Sequence, residues 1–244
     1  MGREFEIPLE SLVEATPEQV WSAITTGPGI DSWFMGRNEV EGGAVRTAFA
    51  GAELPESRVS ADEPLKHFAH SATPGPDGRF VAYEFLLEGR GQGSTLVRMV
   101  TSGFLPGDDW EHEYEAMSAG TALFFATLTE YLTHFAGRGA TPLTESGPPV
   151  ADWPRAWRTL HAALGGPPEP GDTVRLTPPG LPPAQGVVYF RNGQTVGVRT
   201  SDALYRFVQG MGGTMLVMHL LFGDPEGQAA AWRSWLEDLY ADRA

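Results

Sequence analysis

Phe80-Val81-Ala82-Tyr83-Glu84-Phe85-Leu86-Leu87-Glu88 is the stretch on which the reading of this chain turns. Val81, Tyr83, Phe85 and Leu87 fall on one face of an extended segment, and Glu84 and Glu88 fall on the other. An apolar side and an acidic side at period two mark a strand with one face buried and one wet, as antiparallel sheets have. The neighbouring segments repeat the pattern. Residues 45–49, 58–60, 67–72 and 95–102 are short alternating runs broken by turn residues. Residues 38–104 therefore predict an antiparallel meander.

Downstream, residues 109–137 predict a long helix. Met117, Thr121, Phe124, Leu128, Tyr131 or Leu132, and Phe135 recur at helical spacing. Asp108, Asp109, Glu111, Glu113 and Glu115 put negative charge at its start, which suits the positive end of the helix dipole. Gly137 and Gly139 are natural terminators. Upstream, Phe5, Ile7 and Leu9 alternate with Glu4, Glu6 and Glu10, predicting a strand over 5–15. Thr16, Pro17 and Gln19 then form a capping-box start for a helix whose apolar face is Val20, Trp21 and Ile24. Gly27-Pro28-Gly29 is expected to stop it, and residues 30–35 to form a short helical turn carrying Trp33 and Phe34.

Residues 140–150 are polar and rich in Pro and Gly, and read as a linker between a domain at 1–139 and a second at 151–244. The second part predicts a helix over 153–164, strands near 173–176, 186–190, 195–200, 204–208 and 214–222, and a final helix over 224–242. Asn192-Gly193 signals a hairpin made by two residues of positive φ. Trp153 and Trp157 are expected to join the two halves. Residues 83–99 recur 120 positions later: Phe85 meets Tyr205, Leu87 meets Phe207, Gly93 meets Gly213, Leu96 meets Leu216 and Val97 meets Val217. A duplicated unit is the simplest account. The second copy reads as truncated, with no counterpart of the first strand, and as packed on the first.

The fold class expected is α+β. Strand, capped helix, short helix, strand meander and long closing helix follow in the order of the START-like (SRPBCC) helix-grip superfamily. Residues 13–24, Val-Glu-Ala-Thr-Pro-Glu-Gln-Val-Trp-Ser-Ala-Ile, followed by Ile30-Asp31-Ser32-Trp33-Phe34, resemble the opening of the Aha-type family, homologues of the activator of the heat-shock chaperone ATPase. Ala61-Asp62-Glu63-Pro64-Leu65 resembles that family's turn and strand, and Leu128 with Tyr131-Leu132 its closing helix. The resemblance covers residues 5–137. It implies a curved antiparallel sheet wrapped around a long C-terminal helix. The superfamily includes lipid binders, polyketide cyclases and co-chaperone-like domains, so the fold by itself selects none of these functions.

Composition narrows the classes. The 244 residues carry 17 Lys and Arg against 31 Asp and Glu, a net charge of −14. That balance argues against a nucleic-acid partner and against an anionic membrane surface. No cysteine is present, which excludes disulfides and thiolate chemistry and fits a reducing cytoplasm. Neither a signal peptide nor a membrane span is legible. His67 and His70 point to opposite strand faces, and no metal set is expected. Gly89-Arg90-Gly91-Gln92-Gly93 precedes a strand, so it reads as a hairpin and not as a phosphate loop.

The leading expectation is a binding protein that holds a hydrophobic small molecule between sheet and long helix. Its candidate ligand-binding residues are Trp33 and Phe34 near the mouth, Phe85 and Leu87 on the sheet, Arg98 as an anion anchor or a solvent-directed cation, and Met117, Thr121 and Phe124 on the helix. The alternatives are a chaperone-associated interaction module and a polyketide cyclase-like enzyme using His70, Glu84 and Arg98. No catalytic residue, cofactor or metal is assigned. The candidate partners are a hydrophobic small molecule and a chaperone or other protein, with the chain a monomer or homodimer.

Overall fold

A computed structural model of the chain describes residues 2–108, 110–210 and 212–241. Expectations that fell on Asp109, Met211 and Asp242 lie outside the described residues. The chain divides into two compact units, Met1–Gly139 and Ala140–Ala244. No helix among the described residues is long and apolar enough to cross a membrane.

The first unit runs β1 (Arg3–Val13), α1 (Pro17–Thr25), α2 (Gly27–Ile30), β2 (Arg37–Glu41), β3 (Ala44–Phe49), β4 (Ala52–Glu53), β5 (Ser57–Glu63), β6 (His67–Ala72), β7 (Phe80–Arg90), β8 (Ser94–Leu105) and α3 (Trp110–His134). Its sheet is antiparallel throughout, in the order β1-β8-β7-β6-β5-β3-β2, with β4 paired to β3. The capping box forms as expected: Gln19 N donates to Thr16 Oγ1 at 3.4 Å and Thr16 N donates to Gln19 Oε1 at 2.9 Å. Gly27-Pro28-Gly29 ends α1 but also starts α2, because Thr26 Oγ1 accepts from Gly29 N at 3.1 Å. Gly29 is needed there, since a Cβ would sit 2.1 Å from the Ser22 carbonyl oxygen. The short helix therefore lies at 27–30, before the expected span of 30–35. Residues 91–93 make a single 3-10 turn between β7 and β8, with Gln92 at φ +67° and Gly93 at φ +77°. This is the expected hairpin.

Cross-strand register defines the inner face of the sheet. Phe5, Gly103 and Val81 form one row; Ile7, Thr101 and Tyr83 the next; then Leu9, Met99 and Phe85; then Ser11, Val97 and Leu87. His70 extends the Tyr83 row and Phe68 the Phe85 row onto β6. Helix α3 packs on β1 and β8. The Arg3 guanidinium stands 4.7 Å from the Trp110 ring centre, and the Phe5 and Tyr114 rings meet edge-on at 6.2 Å. Four helical residues advance about 6 Å and two strand residues about 6.8 Å, so the two elements stay nearly in step. Helix α3 thus runs in the direction of β1, and the next step brings Ser118 to the row of Ile7 and Thr101.

The second unit runs β9 (Thr141–Pro149), α4 (Trp153–Ala163), β10 (Thr173–Leu176), β11 (Ala184–Arg191), β12 (Thr195–Arg199), β13 (Ala203–Gln209), β14 (Thr214–Leu221) and α5 (Gln228–Tyr240). Its antiparallel sheet has the order β10-β11-β12-β13-β14-β9. The supposed linker at 140–150 is therefore mostly a strand. Pro142, Pro148 and Pro149 mislead because β9 is an edge strand, where a missing N–H need not cost a ladder bond. Strand β9 also occupies the place that the sequence reading left empty, next to the last strand, as β1 sits next to β8. Trp153 and Trp157 pack on the unit's own core, whose buried residues include Leu160, Val198, Phe207 and Trp232. The Asn192-Gly193 hairpin forms without positive φ at either residue. The Asn192 side chain makes the turn instead, accepting from Gln194 N and from Thr195 Oγ1, each at 2.9 Å.

The two hairpins share one register. Leu87 faces Val97, Glu88 faces Leu96 and Gly89 faces Thr95; shifted by 120, Phe207 faces Val217, Val208 faces Leu216 and Gln209 faces Met215.

Replacing Thr16 with Ala leaves a donor at the start of α1 without its acceptor. It is expected to lower unfolding stability by about 1 kcal/mol in urea titration, with Thr16→Asn restoring most of the loss.

Candidate functional site

The inner face of the first sheet carries a cluster of aromatic side chains, assembled from three elements. The chain after α2 delivers Trp33 and Phe34, β7 delivers Tyr83 and Phe85, and α3 delivers Phe124. Ring centres of Trp33 and Phe85 are 5.9 Å apart, Trp33 and Phe34 5.2 Å, Phe34 and Tyr83 5.6 Å, and Phe34 and Phe124 4.6 Å. Four of the residues expected to line a ligand site are therefore neighbours. Leu87 lies on the same face two residues beyond Phe85 and is buried. On α3, Thr121 is buried and Met117 is half-buried.

Two expectations need correction. Trp33 does not stand at a mouth: it is 3% exposed and its Nε1 donates to the Ala23 carbonyl at 2.9 Å, so it anchors α1 to the sheet. Arg98 is exposed on the outer face, opposite Leu86 and Glu10, because even-numbered residues of β8 point away from α3. Of the two readings of Arg98, the solvent-directed one holds, and it anchors no anion inside the sheet. The buried arginine among the described residues is Arg206 in β13, whose Nε donates to the Met218 carbonyl. Glu84 also faces outward, where His67 Nε2 lies 2.8 Å from its Oε1. Of the trio His70, Glu84 and Arg98, only His70 faces inward.

His70 belongs to a feature that the sequence reading did not find. His70, Tyr83 and Thr101 stand side by side across β6, β7 and β8 in one cross-strand row. His70 Nδ1 and Thr101 Oγ1 are buried without a hydrogen-bond partner among the described residues, and so is Ser118 Oγ on α3, one helical turn beyond Tyr114. The imidazole of His70 is tilted against the Tyr83 ring, centres 5.3 Å apart, and lies 5.7 Å from Phe68. Burial pushes His70 down to about 4 and the Tyr83 phenol up to about 12. At neutral pH the row is therefore polar and uncharged. Alternation alone places Tyr83 inside; only pairing register could have added Thr101 and His70 to it, and only the step of α3 along β1 could have added Ser118.

Buried polar groups without partners are uncommon in native structures, because each forfeits its bonds to water, at about 1–3 kcal/mol. Two of the three, His70 and Thr101, belong to one cross-strand row, and the third, Ser118, is on the helix that packs on β8. Aromatic rings surround the row: Phe68 beside His70, and Phe34 beside Tyr83.

No family model and no curated protein sequence matches this chain. Solved structures do. A crystal structure of a protein from Mesorhizobium loti is 25% identical, covering 52% of this chain and 96% of that one, with a TM-score of 0.45. The solution structure of the Aha1 dimer from Colwellia psychrerythraea is 24% identical over 52% of this chain and 96% of its own, TM-score 0.42. A di-domain ARO/CYC protein, BexL, from the BE-7585A biosynthetic pathway is 13% identical, covering 89% of this chain and 85% of its own, TM-score 0.47. The Colwellia protein bears the name of the group that the opening motif of this chain resembles.

The depressed His70 makes stability depend on pH. Between the ordinary value of 6.5 and about 4, the unfolded chain takes up a proton at this imidazole that the folded chain does not. Its contribution is fully present above 6.5 and is lost as pH falls towards 4, about 3 kcal/mol in all. His219, buried in the second unit, shifts in the same direction. Urea titrations at pH 7, 5.5 and 4.5 should show a steeper loss for the native chain than for His70→Gln; equal slopes would mean that His70 is not a buried neutral base.

Proposed function

We propose that the first unit is a binding module that holds a hydrophobic small molecule between the inner face of its sheet and α3. Trp33, Phe34, Phe85, Leu87, Met117, Thr121 and Phe124 are its apolar walls, with Trp33 acting as a fixed support. One observation carries the reading: His70 Nδ1, Thr101 Oγ1 and Ser118 Oγ are buried and unpartnered on facing elements of an aromatic interior. A core that served packing alone would gain stability by placing Val and Ala at the two hydroxyl positions. Retaining unpaired hydroxyls there suits a site whose complement arrives from outside, since functional sites commonly hold groups that cost stability.

The first unit is favoured over the second by register. Tyr83 faces Thr101 across β7 and β8, and the positions 120 residues on hold Ala203 facing Leu221. The polar row has no counterpart there. The shared register and the pairing of first with last strand support reading the two units as copies of one plan, of which the second has fewer strands and a filled interior. A cyclase-like reading would rest on His70 alone, since Glu84 and Arg98 face away from the interior.

Two measurements test the module. The purified chain, stripped of lipid, should displace a solvatochromic dye stoichiometrically when titrated with extracted hydrophobic compounds, and native mass spectrometry should show one guest per chain. Thr101→Val should raise the stability of the ligand-free protein by about 1–3 kcal/mol while weakening guest binding. A Thr101→Val variant that is less stable and binds unchanged would show that the hydroxyl serves the fold.

A further inference from the structure

The chemistry of the row narrows the guest, on the reading that the first unit binds one at all. The inward residues of the four strands concerned are Arg3, Phe5, Ile7, Leu9, Ser11 and Val13 on β1; Phe68, His70 and Ala72 on β6; Val81, Tyr83, Phe85 and Leu87 on β7; and Thr95, Val97, Met99, Thr101, Gly103 and Leu105 on β8. Arg3 is the single charged side chain among them. It lies two rows from Thr101, at the end of the sheet, engaged over the Trp110 ring. Glu113, at the start of α3, is held on the outside by Arg79 at 2.6 and 3.2 Å. The four groups His70, Tyr83, Thr101 and Ser118 can each donate or accept a hydrogen bond, and apart from Arg3 none of the inward residues of these four strands is a cation.

Such a lining treats three versions of one molecule differently. An ionised carboxylate would be taken out of water with no opposite charge to receive it, which is costly. A bare hydrocarbon would leave the hydroxyls and the imidazole unpaired. A hydroxyl group can donate to one member of the row and accept from another, and carries no charge. We infer that the guest is an uncharged apolar molecule bearing a hydroxyl group, an alcohol or phenol, and that His70, Tyr83, Thr101 and Ser118 select it over the carboxylate and the hydrocarbon of the same skeleton. Three further features agree. The row lies beneath the first turns of α3, where Thr101 is fully buried and Ser118 and Met117 are half-buried. The rings of Phe34, Tyr83 and Phe124 stand beside it and give the skeleton a flat apolar surface. The equivalent positions of the second unit, Ala203 and Leu221, carry no polar atom in the side chain.

The test is a matched panel on the full, lipid-stripped chain at pH 7.5: naphthalene, anthracene and dodecyl skeletons, each as the alcohol or phenol, the carboxylate and the methyl compound, with affinities from equilibrium dialysis. The hydroxyl member of at least one skeleton should bind roughly tenfold or more tightly than its carboxylate and its methyl analogue, the margin that one unmet hydrogen bond supplies. The double variant Thr101→Val, Ser118→Ala should abolish that preference while keeping the methyl compound's affinity, which also reports that the variant is folded. If carboxylates bind as well as or better than the hydroxyl compounds, the inference on ligand class falls and the binding site stands. If no member of any skeleton binds, both fall.

Discussion

Helix and strand rise at different rates, and the first unit depends on their keeping step. Four residues of α3 cover nearly the distance of two residues of β1, so Trp110 lies by Arg3 and Tyr114 by Phe5. That match lets one continuous face of a 25-residue helix bury itself on β1 and β8. Every third or fourth helical side chain then meets an inward strand side chain, and the core follows: Leu123, Leu128 and Leu132 on the helix, Val97, Met99 and Leu105 on the sheet. Helix α1 and its capping box matter because they place Trp33, whose indole hydrogen bond to Ala23 ties the helical layer to the sheet.

The same stepping sets the chemistry of the interior. A residue on α3 can address a given cross-strand row only if its turn coincides with that row. Ser118 does so for the row of Ile7, Thr101, Tyr83 and His70. Its hydroxyl and that of Thr101 stay unpaired, although Thr101 is as fully buried as Leu128 and Val97 farther along. The helix thus meets apolar side chains of the sheet along one part of its length and the polar row along another.

Alternation made β7 and its faces legible, because a one-sided strand writes its burial into every second residue. The capped helix, the hairpin at 91–93 and the long helix were legible for equally local reasons. Strand β9 was not, because its prolines carry the composition of a loop and only an edge position makes them harmless. Arg98 was ambiguous for a related reason: flanking Leu96 and Val100 on the same strand face suggested burial, but that face is the outer one, and the sign of a face is decided by which side receives the helix. The polar row lay beyond sequence reading altogether. His70, Tyr83 and Thr101 are separated by 13 and 18 positions, and nothing local links them; only pairing register makes them neighbours.

Comparison of the two interiors shows that the row is no requirement of the architecture. At the same hairpin register the second unit carries Ala203 and Leu221, both nearly inaccessible, and fills the space between sheet and helix with Tyr205, Phe207, Trp232 and Trp235 in mutual ring contact. Among its buried polar groups is His219, whose Nδ1 accepts from the Arg206 backbone N–H at 3.1 Å at an irregular point of β13 and β14, and whose Nε2, like His70 Nδ1, is buried without a partner among the described residues. That histidine has a structural reason to be inside. His70 lacks such a bond: its Nδ1 has no hydrogen-bond partner among the described residues, and its ring stands beside those of Phe68 and Tyr83. Both units bury an aromatic cluster between sheet and helix, and they differ at this hairpin register, where the first carries Tyr83 and Thr101 and the second Ala203 and Leu221.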